Sequence, residues 1–246
     1  CQRALADTPF AASLPFRLEL LQDDQPLRLE AVSDFWRRHV ASERISPVLA
    51  DYLVQHRDSP EKWAKLLKRQ MAKPRSRVLW PDEIDGAQAE IDSACLGAAF
   101  DKARRLWAGD GAEPTAALLA GLAALNANSY KQESVRTAAT AWSHWLASGA
   151  PLSAPDTKSG KAGLFTSGCI TARTKKKQTP PTHPFFDAAD QLLAMHTAVA
   201  QALEMARLRL LRSLFAEAGA AMRQAKRRQR VLSFDDMLHN VHTALT

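Results

Sequence analysis

Apolar residues recur at helical spacing along most of the chain. Leu29, Val32, Phe35 and Trp36 form one stripe, predicting a helix that runs to about His39. Val48, Leu49, Tyr52 and Leu53 follow Ser46-Pro47, and Trp63, Leu66, Leu67 and Met71 follow Ser59-Pro60-Glu61. In both places a serine N-cap precedes a proline at the first helical position. Pro81 opens a pattern through Ile84, Ile91, Cys95 and Ala98 to Leu106 and Trp107, which stops at Gly109-Asp110-Gly111. Pro114 begins an Ala/Leu-rich helix that reads as buried on most sides, and a further helix over about 133–146 carries Trp142 and Trp145. From 147 to 184 the pattern breaks on Pro151, Pro155, Gly160, Gly163, Gly168, Pro180, Pro181 and Pro184. That predicts one long loop or mobile arm, and loops of this length usually carry function or stay disordered. Helix resumes near Phe185 and runs, with at most one break, to Arg230. Ser233 with Asp236 three residues later predicts the capping box of a last helix. Asp235 and Asp236 then belong to its first turn, each contributing ~0.3–1 kcal/mol. On that reading, Asp236→Asn costs little.

Composition agrees with the periodicity. Hydrophobic residues make up 46% of 246, with 10 Gly and 2 Tyr, and β-branched residues are sparse, favouring helix over strand. The expected fold is all-α, an irregular multi-helix single domain over 1–246 with a long basic loop at 147–184 and almost no strand. Cys1, Cys95 and Cys169 are odd in number and far apart, excluding a disulfide framework or zinc knuckle and suiting a reducing cytoplasm. Residues 1–16 lack a basic start followed by an apolar run, so no signal peptide is expected. The longest apolar stretch, 116–125, is about half the ~20 residues of a membrane span. Starting on Cys1 and stopping on Thr246 in mid-pattern, the chain is expected to be a segment of a longer polypeptide.

The sequence holds no G-x-x-x-x-G-K-[ST] phosphate loop, no G-x-G-x-x-G, no H-E-x-x-H and no G-x-S-x-G. Histidines 39, 56, 144, 183, 196, 239 and 242 show no ligand spacing. No catalytic residue, metal site or cofactor site is expected in this chain. What it does carry is charge: 33 Lys and Arg against 26 Asp and Glu, a net +7. The cations fall in three clusters. Arg57, Lys62, Lys65, Lys68, Arg69, Lys73, Arg75 and Arg77 lie before Trp80. Lys158, Lys161, Arg173, Lys175, Lys176 and Lys177 lie in an acid-free stretch from 157 to 178. Arg207, Arg209, Arg212, Arg223, Lys226, Arg227, Arg228 and Arg230 lie on the last long helix. Such clusters are either solvated surface or phosphate contacts, which need only mobile or helix-borne cations. The candidate DNA-contacting residues are Lys62, Lys65, Lys68, Arg69, Arg173, Lys175, Lys176, Lys177, Arg223, Lys226, Arg227 and Arg228. Trp36, Trp63, Trp80, Trp107, Trp142 and Trp145 mostly sit on apolar stripes, so core packing is favoured over base stacking. Phe185-Phe186 is expected to anchor the end of the loop.

Several runs resemble one family. Cys1-Gln2-Arg3 with Phe10 and Phe16 resembles the stretch after the T-x-H-G-F helicase motif of the RecB family, the beta subunits of exodeoxyribonuclease V. Asp34-Phe35-Trp36-Arg37-Arg38-His39 resembles its D-F-W-R-R-H run. Thr174-Lys175, Thr179-Pro180, His183-Pro184-Phe185-Phe186 and Gln191-Leu192-Leu193 resemble a loop ending T-P-x-H-P-L-F. Phe234-Asp235-Asp236-Met237-Leu238 resembles the G-F-D-D-M-L segment before the D-E-F-Q-D-T ATPase motif, with Ser233 in place of the glycine. Residues 81–150 match by helical character alone. The resemblance implies a helical insertion, subdomain 1B, of a superfamily 1 helicase motor, lying beside the DNA path. The parent protein would use ATP and Mg, carry a nuclease, and work with RecC- and RecD-like subunits in double-strand break repair in the bacterial cytoplasm. This segment would be monomeric, bind DNA without sequence preference, touch no membrane and hold no cofactor of its own. A different class also fits: a protein-interaction scaffold that docks partner subunits or braces the motor without touching DNA. A third is a free-standing basic helical regulator. Either way, the purified 246-residue chain should turn over no ATP and neither cleave nor unwind DNA, as followed by phosphate release and gel-based strand separation. Activity that tracks the chain through purification would sink this reading.

Overall fold

The serine–proline pairs start helices as their chemistry dictates. The computed structural model describes residues 19–43, 45–73, 77–86, 93–109, 111–153, 161–233 and 236. Ser46 Oγ accepts from Leu49 N at 3.2 Å at the start of α2 (Pro47–Gln55), and Ser59 Oγ accepts from Lys62 N at 3.2 Å at the start of α3 (Pro60–Met71). Before them, α1 (Gln25–His39) opens with Pro26 in its first turn. Helices α1 and α3 pack together through Val32, Phe35, Trp63 and Leu67, all without exposed surface. The Trp36 ring meets Trp63 edge-on at 4.8 Å, the geometry aromatic quadrupoles favour. Later come α4 (Ser93–Leu106), α5 (Ala112–Ala120), α6 (Gln132–Ser148), α7 (Ser167–Ala172) and α8 (Pro184–Gln229). The only strands among the described residues are β1 (Glu19–Leu21) and β2 (Val231–Ser233), paired parallel with Glu19 opposite Val231. The all-α expectation holds.

Two expectations change. Contacts gather in two compact units, 1–88 with 203–246, and 89–202, where a single domain was expected. One physical reason is α8: its 46 residues span ~69 Å at ~1.5 Å per residue, longer than one small core, so it supplies residues to both. The stretch 147–184 is not an unbroken loop either. Among its described residues a 3-10 turn (Ala162–Phe165) and α7 bury Ala162, Leu164, Phe165 and Ile170. Those four apolar residues are too few and too interrupted by Gly and Lys to show a period. Their partners lie elsewhere in the second unit. The break allowed in α8 is absent.

The second unit closes on aromatic rings. Trp107 lies 4.5 Å from Phe185 and Trp142 lies 5.1 Å from it, with Phe165 and Trp145 completing the cluster. Each indole N–H finds an acceptor: Ser143 Oγ for Trp107, the Ala162 carbonyl for Trp142 and the Ala150 carbonyl for Trp145. Gly111, at φ 72°, lies so close to Trp107 that a Cβ would stand 2.1 Å from the ring. Phe185 and Phe186 anchor the end of the 147–184 stretch as expected.

The first unit is tied by ion pairs. Asp58, whose side chain has 0% exposure, accepts from Arg207 at 2.5 and 3.2 Å and pairs with Lys62 at 2.8 Å. Lys226, 4% exposed, donates to Asp24 at 2.9 Å, Asp236 at 2.6 Å and Ser233 Oγ at 2.9 Å. Asp236 also accepts from Ser233 N at 3.0 Å, the capping box read from sequence; Phe234, Asp235 and residues 237–246 lie outside the described residues. Burial pushes the Asp24 carboxyl up, but Lys226 and Arg28 outweigh it and hold it below its ordinary 3.8. Burial likewise opposes Asp58, and Arg207 with Lys62 outweighs it.

The capping box stands, and the expectation that changes is that Asp236→Asn costs little. Its carboxylate is a partner of a buried ammonium, and removing it leaves Lys226 half-compensated. Asp236→Asn should lower stability by about 1–3 kcal/mol, not by a few tenths, in urea unfolding. Asp34→Asn, in an exposed pair with Arg37, should cost roughly 0.2–1 kcal/mol. Equal losses would remove Lys226 as the cause.

The depressed carboxyls also set a pH dependence. With folded values below 3.8, the unfolded chain takes up these protons first, so stability rises with pH through that window. The contribution is complete above the ordinary aspartate range and is lost as pH falls below it. The urea midpoint of the wild type should drop steeply below about pH 4. That of Asp58→Asn should start lower and fall less. Parallel curves would show that Asp58 does not couple protons to folding.

Candidate nucleic-acid interface

Folding uses some of the candidate cations and leaves others in water. Lys62 is drawn inward: its ammonium meets Asp58 and donates to the His56 carbonyl at 2.7 Å. Lys226 is buried on two carboxylates, so it is not available to a phosphate. Both sit in basic runs: the carboxylate partners of Lys226 are invisible to helical spacing, whereas Asp58 lies one turn before Lys62 and only its burial is hidden. The front of the third cluster is engaged by the fold as well. Arg207 is held charged above its ordinary range by its hydrogen bonds to Asp58, which together with Glu204 outweigh the opposing effect of burial. Arg209 donates to the Ile84 and Gly86 carbonyls at 3.0 and 3.1 Å, and Arg212 pairs with Asp85 at 2.6 Å.

The remaining candidates are exposed. Lys65, Lys68 and Arg69 stand on the outer side of α3, opposite Trp63 and Leu67. Arg223, Arg227 and Arg228 surround the buried Lys226 on the last turns of α8, where cations also suit the carbonyl end of the helix. Arg173, Lys175, Lys176 and Lys177 are exposed after α7. That last set is held in place rather than free to move as an arm. Asn126 N donates to the Arg173 carbonyl at 2.9 Å, Lys175 N to the Ala124 carbonyl at 2.8 Å, and Lys175 Nζ to the Ala123 carbonyl at 2.8 Å. Arg75 and Lys158 lie outside the described residues.

The tryptophans divide as their stripes suggested. Trp63, Trp107, Trp142 and Trp145 are buried, while Trp36 and Trp80 are half-buried against Trp63 and Phe215. Among the described residues no His, Cys, Asp or Glu side chains gather as a metal site, and no helix is long and apolar enough to cross a membrane. One surface was missed from the sequence. Arg136, Thr140 and His144 share an exposed face of α6 beside a shallow groove. Their i, i+4, i+8 spacing, opposite buried Val135, Ala138 and Trp142, was the available signal.

No protein-family profile matches the chain. Over 247 aligned residues, covering all of it, the chain is 27% identical to the RecBCD enzyme subunit RecB of Escherichia coli strain K12. It spans about 20% of that relative's length. The similarity to RecB extends over the whole of this chain.

Proposed function

We propose that the chain is a non-catalytic, DNA-contacting accessory subdomain of a RecB-like ATP-dependent helicase and nuclease, at the place of the 1B insertion. The observation that carries this reading is the set of cations left over after folding. Lys65, Lys68 and Arg69, then Arg223, Arg227 and Arg228, and finally Arg173, Lys176 and Lys177 are exposed, and among the described residues none forms a close ion pair with a carboxylate, although Glu61 lies one turn before Lys65. A folded protein gains little from unpaired surface cations, whereas each one that neutralises a phosphate of a polyanion frees a condensed counterion into solution. The likeness to RecB along this whole chain, with the resemblance of its sequence runs to that family, supports the helicase setting. In this proposal ATP, Mg and the nuclease belong to the rest of the parent protein, RecC- and RecD-like subunits are its partners, and the setting is the bacterial cytoplasm. The contacts run to phosphates, not base edges, so binding is independent of sequence.

The competing scaffold reading has its own support in the exposed Val54 and Leu79, 73% and 85% accessible, which suit a protein partner. Salt titration separates the two. The chain should bind two unrelated duplexes alike, with log affinity falling linearly against log salt. Replacing Arg223, Arg227 and Arg228 by Ala should flatten the slope by up to about 2.7, roughly 0.9 per phosphate. Its helical melting transition should stay within a degree or two, since exposed charges hold little folding energy. A slope indistinguishable from wild type, or no duplex binding at all, would favour the scaffold.

A further inference from the structure

The turn after α7 holds a conformation that its residues disfavour. Gln178 N donates to the Lys175 carbonyl at 3.1 Å, which makes Lys176 and Lys177 the central residues of a tight turn. Lys177 has φ 64°. At that position glycine or asparagine is the ordinary choice, because an L side chain crowds the neighbouring carbonyl. Arg57 at φ 53° and Arg230 at φ 56° are the other non-glycine residues of this kind among the described ones. Each directly follows the last turns of a helix, α2 or α8, where a cation gains from the carbonyl end of the dipole. Lys177 has no such compensation, since α7 ends at Ala172.

The turn is also built firmly. Thr174 bridges Leu125 in antiparallel fashion, and Thr174 Oγ1 donates to the Ile170 carbonyl at 2.7 Å. With Lys175 engaged on the Ala123 carbonyl, the exposed charges of Arg173, Lys176 and Lys177 are presented from a fixed backbone. Around them Thr171, Ala172, Gln178 and Thr179 are exposed, small or polar. They offer none of the aromatic or aliphatic anchors that the core of a peptide interface uses. Strained backbone of this kind persists where the surroundings enforce it, and such positions cluster at binding sites.

We propose that Arg173, Lys176 and Lys177 form a preformed phosphate-docking turn for a nucleic-acid backbone, with Lys177 kept at positive φ for its charge and at the expense of stability. Holding the cations in place before binding lowers the ordering cost of each contact. The inference rests on the DNA-contacting reading above and names one of its contacts.

Its signature is a pair of opposite effects in a single variant. The 246-residue chain, Lys177→Gly, Lys177→Asn, Lys176→Ala and Lys161→Ala are compared by thermal melting and by salt titration on a labelled duplex. Poly-glutamate serves as the peptide probe. Lys161 is exposed but lies outside the turn. Lys177→Gly should melt about 2–4 °C higher, Lys177→Asn less so, because glycine and asparagine tolerate the left-handed region. Both, like Lys176→Ala, should flatten the salt slope by roughly 0.9, while Lys161→Ala keeps the wild-type slope. A Lys177→Gly protein that melts lower than wild type overturns the strain argument. One that melts higher but binds with the wild-type slope overturns the docking turn and leaves the broader DNA reading standing. Equal flattening in Lys161→Ala points to a diffuse field and also overturns it. Wild-type chain that binds poly-glutamate but not duplex, or binds neither, removes both readings together.

Discussion

A carboxylate without exposed surface organises the first unit. Asp58 follows α2, whose end is closed by a hydrogen bond from Asp58 N to the Leu53 carbonyl at 2.9 Å. Ser59 then caps α3. The corner between the two helices therefore points a charge inward, and a buried charge is tolerated only when paired and hydrogen-bonded. Arg207 supplies the fork and Lys62 the second cation. Fixing Arg207 fixes the rotation of α8 over this unit. That rotation turns Arg209 and Arg212 onto 83–86, sends Lys226 into the pocket of Asp24 and Asp236, and leaves Arg223, Arg227 and Arg228 outside.

The same interaction explains how far the interface was legible in the sequence. Runs of Lys and Arg locate charge, but a residue faces water or a carboxylate according to a turn of about 100° per residue on a helix. Lys226 and Arg227 are adjacent in sequence and opposite in fate. Asp24, which decides the matter for Lys226, lies 202 residues away. Lys62 shows the same at short range: Asp58 is one helical turn before it, and only the corner geometry makes that carboxylate buried rather than solvated. Among the residues that survive as candidates, Lys65, Lys68 and Arg69 lie opposite apolar positions, and that opposition is visible in the i, i+4 spacing of Trp63 and Leu67.

Local chemistry was the legible part of the fold. Ser46, Ser59 and the Ser233–Asp236 pair act on backbone N–H groups within three residues, so the signal and its effect share one short window. Buried tryptophans follow from long apolar stripes. What the sequence hid depends on distant partners. The 3-10 turn and α7 are too short to repeat a period; the turn is held through Phe165 in the aromatic cluster, and α7 packs on the turn. β1 and β2 are three residues each and pair across more than two hundred positions. The division into two units was hidden as well, because α8 has no break in its sequence to mark where one core stops and the next begins.

The two ways of using a cation also bear on what kind of partner the surface suits. Where the fold needs charge it uses two or more contacts per cation, as at Arg207, Arg209 and Lys226. Where it does not, the arginines and lysines stand at helix ends and in a pinned turn, grouped in threes, with Glu61 one turn before Lys65 beside the first group. An interface with a folded protein would instead favour a few aromatic or arginine anchors inside an apolar surround, with mixed charge at the rim. Among the described residues the large exposed apolar side chains are Leu20, Val54 and Leu79, and none belongs to the three basic groups. Clustered cations lacking an apolar centre match a partner whose own charge repeats at short intervals along a line. A phosphodiester backbone is such a partner, and its uniform repeat is why cations with no fixed fork geometry are sufficient to hold it.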